Sequence, residues 1–414
     1  MRASSDVRMR GLRMSIAARS AAIAARSAAI VAVAVVAAAG CTQVEPRGTG
    51  DLGVVVLREK GALDVIDTSA RASLGEIGGL GDLSHASVVY SRDGRYAYVF
   101  GRDGALSRVD LLARRVVARI AQAGNSIGGA ITQDGSLVAA QNYVPGGVRV
   151  FRADTLEPVA DIPAVYGAGG ARSKVVGLAD APGNRLVFSL FDAGEIWIAD
   201  LADPRAPRIQ RIHNVGKQPY DGLVTPDGRY YIAGLFGEDG LALVDLWHPE
   251  QGARRILDGY GRGEERLPVY KMPHLRGWAI AGDVAWLPAV GHHAVLAVDT
   301  RDWRPLAEVP VAGQPVFVIA RPDGREIWVT FALPDNGLVQ VIDAETRRVA
   351  HTLAPGRAIL HLEFTPRGEA VWMSSRDDDR VLVYDTRTLA PVATLAAPAP
   401  SGIFFTSRAA RIGF

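Results

Sequence analysis

Seven short segments of this chain set polar side chains at the entrance to an apolar run. They are His85 in LSHASVV, Asn125 and Ser126 in GNSIGGA, Arg172 and Lys174 in GARSKVV, Tyr220 and Asp221 in KQPYDGL, His274 and Arg276 in MPHLRGW, Gln314 in GQPVFV, and His361 in AILHLEF. An imidazole such as His85 can ligate iron or shuttle a proton near neutral pH, or it can serve as a satisfied polar plug. Arg172, Lys174 and Arg276 are costly in an enclosed space unless an anion or a neighbouring acid meets them. Together they fit a polycarboxylate ligand, because guanidinium groups bind carboxylates in bidentate fashion. Asp221 can orient a histidine, act as a base, or simply stand in a turn.

These segments matter together only if the fold brings them to one place, and a repeat does so. Ser84 to Ile120 reads as four short alternating strands joined by turns. Its first turn glycine, Gly94, recurs as Gly135, Gly183, Gly228, Gly282, Gly324 and Gly368, at intervals of 41 to 54 residues. Ten to fifteen residues after each turn comes a strand ending in Asp, as at Asp110, Asp200, Asp245, Asp299, Asp343 and Asp385. This period is that of propeller blades. Seven units are complete. Gly50 to Ile77 lacks a first strand and Ser401 to Phe414 supplies one, so the reading is all-β, a single eight-bladed β-propeller over 50–414, closed by the C-terminal strand joining the N-terminal blade. A seven-bladed ring is the alternative. In a propeller the first strands are innermost, so the seven segments converge on the central cavity. Gly252 to Lys271 reads as an irregular insert over one face.

Composition narrows the function classes. The chain is 48% hydrophobic and 22% charged, with a net charge of +2. Residues 1–40 carry six Arg and one Asp around an apolar run from Ala28 to Ala39, the pattern of an export signal; without them the charge is −3. A slightly acidic body without a basic block has no footprint for nucleic acid. Cys41, the single cysteine, follows Ala38-Ala39-Gly40 and resembles the lipidated residue of a bacterial lipoprotein box, with 41–49 as a tether. That resemblance implies a periplasmic protein touching the membrane only through its lipid, and the absence of an Asp after the cysteine implies the outer membrane. There is no GxGxxG, P-loop, GxSxG or HExxH, so no nicotinamide is expected, and the lack of CxxCH argues against covalent heme. His292 and His293 are adjacent and point opposite ways, which makes a poor metal pair, and His213, His248 and His351 read as surface residues.

Six passages carry a family resemblance: GDLSHASVVYSRDGRYAYVFGRDG (81–104), AGNSIGGAITQDG (123–135), RSKVVGLADAPG (172–183), GKQPYDGLVTPDGRYYIAGLFGEDGLALVDLWHPE (216–250), LPVYKMPHLRGW (267–278) and PSGIFFTSRAARIG (400–413). With them the chain resembles the NirF family of periplasmic heme d1 biosynthesis proteins, and more distantly the d1 domain of cytochrome cd1 nitrite reductase. The resemblance implies an eight-bladed propeller holding heme d1 or dihydro-heme d1 noncovalently. It puts His85 on the proximal iron ligand and Arg172, Lys174 and His274 on the side receiving the carboxylates. Arg276, Asn125, Ser126 and His361 join them as cofactor-binding candidates. The reductase's cytochrome c domain has no counterpart, so nitrite reduction is not expected.

The activity implied is dehydrogenation of the ring-D propionate of dihydro-heme d1 to the acrylate, with an external electron acceptor. His274 is then the leading base, and Asp221 and Tyr220 are weaker candidates. The competing reading is a carrier or scaffold that delivers the tetrapyrrole to cytochrome cd1 nitrite reductase or to another d1-heme propeller. The blandest reading is an interaction propeller with an empty channel.

Overall fold

The structure is a computed structural model and describes residues 48–260 and 277–413. The expected leader, Cys41, His274 and Arg276 lie outside the described residues, as does most of the expected insert.

Alternating apolar residues and tight turns build eight four-stranded antiparallel sheets, numbered here as blades in chain order. Blade 1 combines Leu52–Leu57, Ala62–Asp67 and Ala72–Ile77 with the C-terminal strand Pro400–Phe405. The inner strands of blades 2 to 8 are Ser87–Tyr90, Asn125–Ile131, Val175–Ala181, Pro219–Val224, Ala279–Ala281, Pro315–Ala320 and Ile359–Phe364. The seven turn glycines named above all have φ between 58° and 79°. That left-handed conformation is open to glycine without a Cβ penalty.

Blade 1 closes the ring as the sequence reading expects. Gly53 pairs with Phe405, Val54 with Phe404 and Val55 with Ile403. The Thr406 hydroxyl reaches the carbonyls of Thr49 at 2.6 Å and Leu52 at 2.7 Å, and the Tyr90 hydroxyl donates to the Phe404 carbonyl at 2.6 Å. Closure joins the two ends of the chain in one sheet.

Hydrophobic clusters lie between neighbouring blades rather than in one central core. Trp286, Trp328 and Trp372 occupy equivalent places on the second strands of blades 6, 7 and 8, each at most 1% exposed. One such cluster joins Trp372 to Val55, Ile66 and Phe405 across the closure.

Two elements differ from the sequence reading. Ala253–Ile256, inside the expected insert, is the fourth strand of blade 5, paired Leu241 to Ile256 and Val244 to Ala253. Its exposed Arg254 and Arg255 hide a short outer strand, which buries little and so has little apolar pattern. Val165–Tyr166 and Ala171–Arg172 form a separate two-stranded hairpin between blades 3 and 4. Its glycine-rich tip resembles a plain loop in sequence.

Candidate functional site

The inner strands begin at one end of the ring, the mouth, and end at the far end. At the mouth their register is irregular. Bulges fall between Asn125 and Gly128 in blade 3, Pro219 and Gly222 in blade 5, Pro315 and Phe317 in blade 7, and Ile359 and Leu362 in blade 8. A bulge inserts an unpaired residue and re-aims its side chain. Asn125, Ser126, Tyr220, Asp221 and His361 all sit in or beside these bulges, so these five candidates coincide with places where the ladder yields.

His85 is half-buried, two residues before the inner strand of blade 2. Near it in sequence, the Ser87 hydroxyl is buried with no hydrogen-bond partner. The side-chain oxygens of Asn125 and Gln314 are likewise buried and unpartnered. Buried acceptors are normally satisfied, so three orphaned oxygens at the starts of inner strands are what a polar ligand would meet. Ser126 differs, because its buried hydroxyl donates to the Gln141 carbonyl at 2.7 Å and fixes the bulge.

Blades 4 and 5 supply an aromatic wall. The rings of Phe191, Tyr220 and Phe236 lie 5.8 to 5.9 Å apart, centroid to centroid. The Tyr220 hydroxyl is 3.2 Å from that of Tyr143. Burial, with the nearby Asp221 charge second, holds the Tyr220 phenol well above its usual range, and burial does the same for Tyr143. Both are therefore neutral hydrogen-bonding groups at physiological pH. Asp221 is itself buried. Behind it the Tyr231 hydroxyl donates to the Gly177 carbonyl at 2.8 Å, and Gly222 lies so close to the Tyr231 ring that no Cβ fits there.

The cations take different places. Lys174 Nζ is 2.5 Å from Asp192 Oδ1 and 4.8 Å from the centroid of the Phe191 ring, so it stands at the edge of the aromatic wall already paired. Arg172 is exposed on the small hairpin. His361 is buried, its ring 5.7 Å from Phe317 and 5.5 Å from Phe404. Its Nδ1 accepts the Ile403 N–H at 3.2 Å, which puts the proton of the neutral ring on Nε2.

Arg102, Tyr143, Phe191 and Phe236 escape the sequence reading. The half-buried Arg102 is a positive charge that slightly offsets the effect of burial on both tyrosine hydroxyls. All four stand at or beside the turns between second and third strands, which also point to the mouth. The signal available was position, since every such turn belongs to the candidate set once the propeller is recognised.

The far end is covered by the C-terminal segment. Glu363 and Arg408 form a buried bidentate pair there. Arg92 binds the Ala409 carbonyl at 2.7 Å, and Asp180 accepts the Gly413 N–H at 2.9 Å. A cavity of about 770 Å³ opens on this side, lined by Leu223, Trp278, Ile319, Arg321, Phe364 and Arg411 among others. Among the described residues there is no cluster of three or more His, Cys, Asp or Glu that could hold a metal ion, and no helix long and apolar enough to cross a membrane.

Comparison with known proteins adds the family. The cytochrome D1 heme domain model matches residues 47–409. Protein NirF of Pseudomonas aeruginosa is 60% identical over 377 residues, covering 91% of this chain and 96% of that protein. A dihydro-heme d1 dehydrogenase of the same organism is 30% identical over 326 residues, covering 77% of this chain and 64% of the dehydrogenase. The solved structure of dihydro-heme d1 dehydrogenase NirN in complex with DHE superposes with a TM-score of 0.77 at 27% identity, covering 88% of this chain and 78% of that one. The chain therefore belongs to the cytochrome D1 heme domain family and, within it, to the NirF proteins of heme d1 biosynthesis.

Proposed function

We propose that the chain is a carrier: it holds heme d1 or dihydro-heme d1 in the mouth of its channel and hands it to a later protein of the pathway. The observation that carries this reading is the character of the mouth. It combines a cluster of three mutually inclined aromatic rings with three orphaned oxygens, while Lys174, His361 and the Tyr143–Tyr220 pair are already held in bonds to the protein itself. That arrangement suits holding a planar, polar-edged macrocycle more than moving protons on it. In this reading His85 would hold the iron, Arg172, Lys174 and Arg276 would meet the carboxylates, and the side-chain amide of Asn125 would face the rim of the ring. Delivery to cytochrome cd1 nitrite reductase or to another d1-heme propeller is the corresponding partner proposal. A lipid on Cys41 would hold the protein in the periplasm at the outer membrane.

The similarity to a dihydro-heme d1 dehydrogenase supports a second reading, in which this chain performs the dehydrogenation. One hydrogen would leave each of the two propionate carbons, so two protons and two electrons must be taken up. His274, Asp221 and Tyr220 are the groups proposed to handle the protons, and an external acceptor takes the electrons. The dehydrogenase relative extends well beyond the matched region, since this chain covers 64% of it, and the carrier reading needs nothing from that remainder.

Incubation of purified protein with dihydro-heme d1, followed by absorbance and mass, separates the two. The carrier binds one equivalent and leaves its mass unchanged even with electron acceptors present. Loss of two hydrogens at substoichiometric protein refutes the carrier and establishes the enzyme. His85→Ala should change the axial-ligation spectrum of the bound complex, and an unchanged spectrum removes His85 as the iron ligand.

A further inference from the structure

Blade 4 carries a bulge of its own. Its inner strand pairs Val176 with Ser189 and then Ala179 with Val187, so Gly177 and Leu178 together face one residue of the second strand. Backbone groups in a bulge lose their ladder partners and need others. Here both come from the neighbouring blades. The Leu178 N–H donates to the side-chain oxygen of Gln141 at 2.9 Å, and the Gly177 carbonyl accepts the Tyr231 hydroxyl at 2.8 Å. Gln141 stands on the second strand of blade 3 and Tyr231 on the second strand of blade 5.

The same two residues reach the bulges on either side. The Gln141 carbonyl takes the Ser126 hydroxyl at 2.7 Å, one residue from Asn125. The Tyr231 hydroxyl also lies 2.9 Å from that of Ser189, and its ring fills the space beside Gly222. Gly177 is equally confined, because with φ at 63° a Cβ there would lie 2.5 Å from the Tyr231 hydroxyl, 2.8 Å from the Gly222 nitrogen and 2.9 Å from the Tyr220 carbonyl oxygen. Blades 4 and 5 therefore meet backbone to backbone at the level of Tyr220 and Asp221. The propeller itself does not demand such bulges, since the inner strands of blades 2 and 6 pair with their second strands without a shift of register.

We infer that Gln141 and Tyr231 are positioning residues, which join the bulges of blades 3, 4 and 5 into one belt and so set Asn125 on one side, and Tyr220 and Asp221 on the other, at the spacing the ligand meets. The inference rests on the carrier reading, in which the mouth holds a tetrapyrrole. Both residues stand one strand spacing, about 4.8 Å, outside the inner wall. Tyr231 is fully buried and Gln141 is 6% exposed, so Tyr231 acts on a ligand only through the backbone it holds. A belt of this kind fixes the wall before the ligand arrives, and a prearranged wall binds more tightly because less ordering is left for the binding step.

The test compares two buried hydroxyls. Tyr98, 2% exposed, donates to the Ala153 carbonyl at 2.7 Å, just past the third strand of blade 3 and so at the far end of the ring. Full-length Tyr231→Phe and Tyr98→Phe each lose one buried hydroxyl–carbonyl bond, and urea unfolding should show similar small losses of stability. Titration with heme d1, followed by absorbance, should separate them. Tyr231→Phe should weaken binding by about fivefold, the scale of one net hydrogen bond, while Tyr98→Phe stays within about twofold of wild type. Gln141→Leu should weaken binding likewise, and the double variant Gln141→Leu/Tyr231→Phe should lie within about twofold of the weaker single variant, because both bonds hold one bulge. Wild-type affinity in either Tyr231→Phe or Gln141→Leu overturns the inference. Equal weakening by Tyr98→Phe overturns it too, because the effect then belongs to overall stability, and losses that multiply in the double variant overturn the single belt. Failure of wild type to bind heme d1 refutes the carrier reading itself, and the wild-type titration reads that outcome separately.

Discussion

Replacing Arg408 by Met tests whether the far end of the channel is held as described. Arg408 and Glu363 each have 8% side-chain exposure, and Arg408 Nε lies 2.8 Å from Glu363 Oε1 with a second, parallel contact from Nη2. Removing the cation leaves a carboxylate buried beside Phe364, at a typical cost of about 3 to 5 kcal/mol for a broken buried pair. Arg411 is close enough to Glu363 to feel its charge, so partial compensation places the loss near the lower end, about 3 kcal/mol. Unfolding entropy of about 2.1 cal/mol/K per residue over roughly 365 residues converts this to a fall in Tm of about 4 °C. Thermal and urea unfolding of the ligand-free protein measure it. The double variant Glu363→Gln/Arg408→Met removes both charges and should return to within about 1 kcal/mol of wild type. A single variant within about 0.5 kcal/mol of wild type, or a double variant as unstable as the single, refutes the picture of a buried, mutually dependent pair.

Asp64, 3% exposed, has its carboxyl pushed up to about 6 by burial, with Glu76 adding to the effect against a hydrogen bond from Ser73. The folded state therefore binds a proton that the unfolded state releases between pH 4 and 6, so this group makes stability fall as pH rises through that window. Asp64→Asn should stabilise the protein by up to about 3 kcal/mol at pH 7 and by little at pH 4; equal effects at both values in urea titrations contradict the assignment. Gly222→Ala pushes a Cβ into the Tyr231 ring and should cost about 1 to 3 kcal/mol while weakening tetrapyrrole binding through the Asp221 bulge. Normal stability and normal binding together would show that the bulge tolerates the methyl. Phe236→Ala opens the aromatic wall and should weaken heme d1 binding by about threefold to tenfold, the scale of one lost aromatic contact, with unchanged affinity by fluorescence quenching counting against the wall as a ligand surface.

The fold was legible because its signals are local. Gly94, Gly228 and Gly324 mark turns whose left-handed φ only glycine adopts cheaply, and strand alternation follows from the two-residue repeat of the pleat. Blade closure was also readable, since Gly50 to Ile77 lacks the first strand that Ser401 to Phe414 supplies. Less of the site was legible. His85, Asn125, Tyr220 and Asp221 are named by their position at the starts of inner strands. The sequence does not reveal that Ser126 is tied to Gln141 or that Lys174 already holds Asp192. It also hides Arg102 and Tyr143 in segments that read as ordinary turn and strand.

The amino-acid sequence by itself determined the blade period, the four-strand make-up of each unit and the closure of the ring by the C-terminal strand. All of these follow from backbone rules acting over a few residues, repeated around the ring. Tertiary structure alone decided which polar groups are engaged and which are left for a ligand. That outcome depends on pairs such as Tyr143 with Tyr220, Glu363 with Arg408 and Asp180 with Gly413, separated by 77, 45 and 233 residues. It depends also on bulges, whose position is a compromise between a strand's own ladder and the packing of its neighbouring blades.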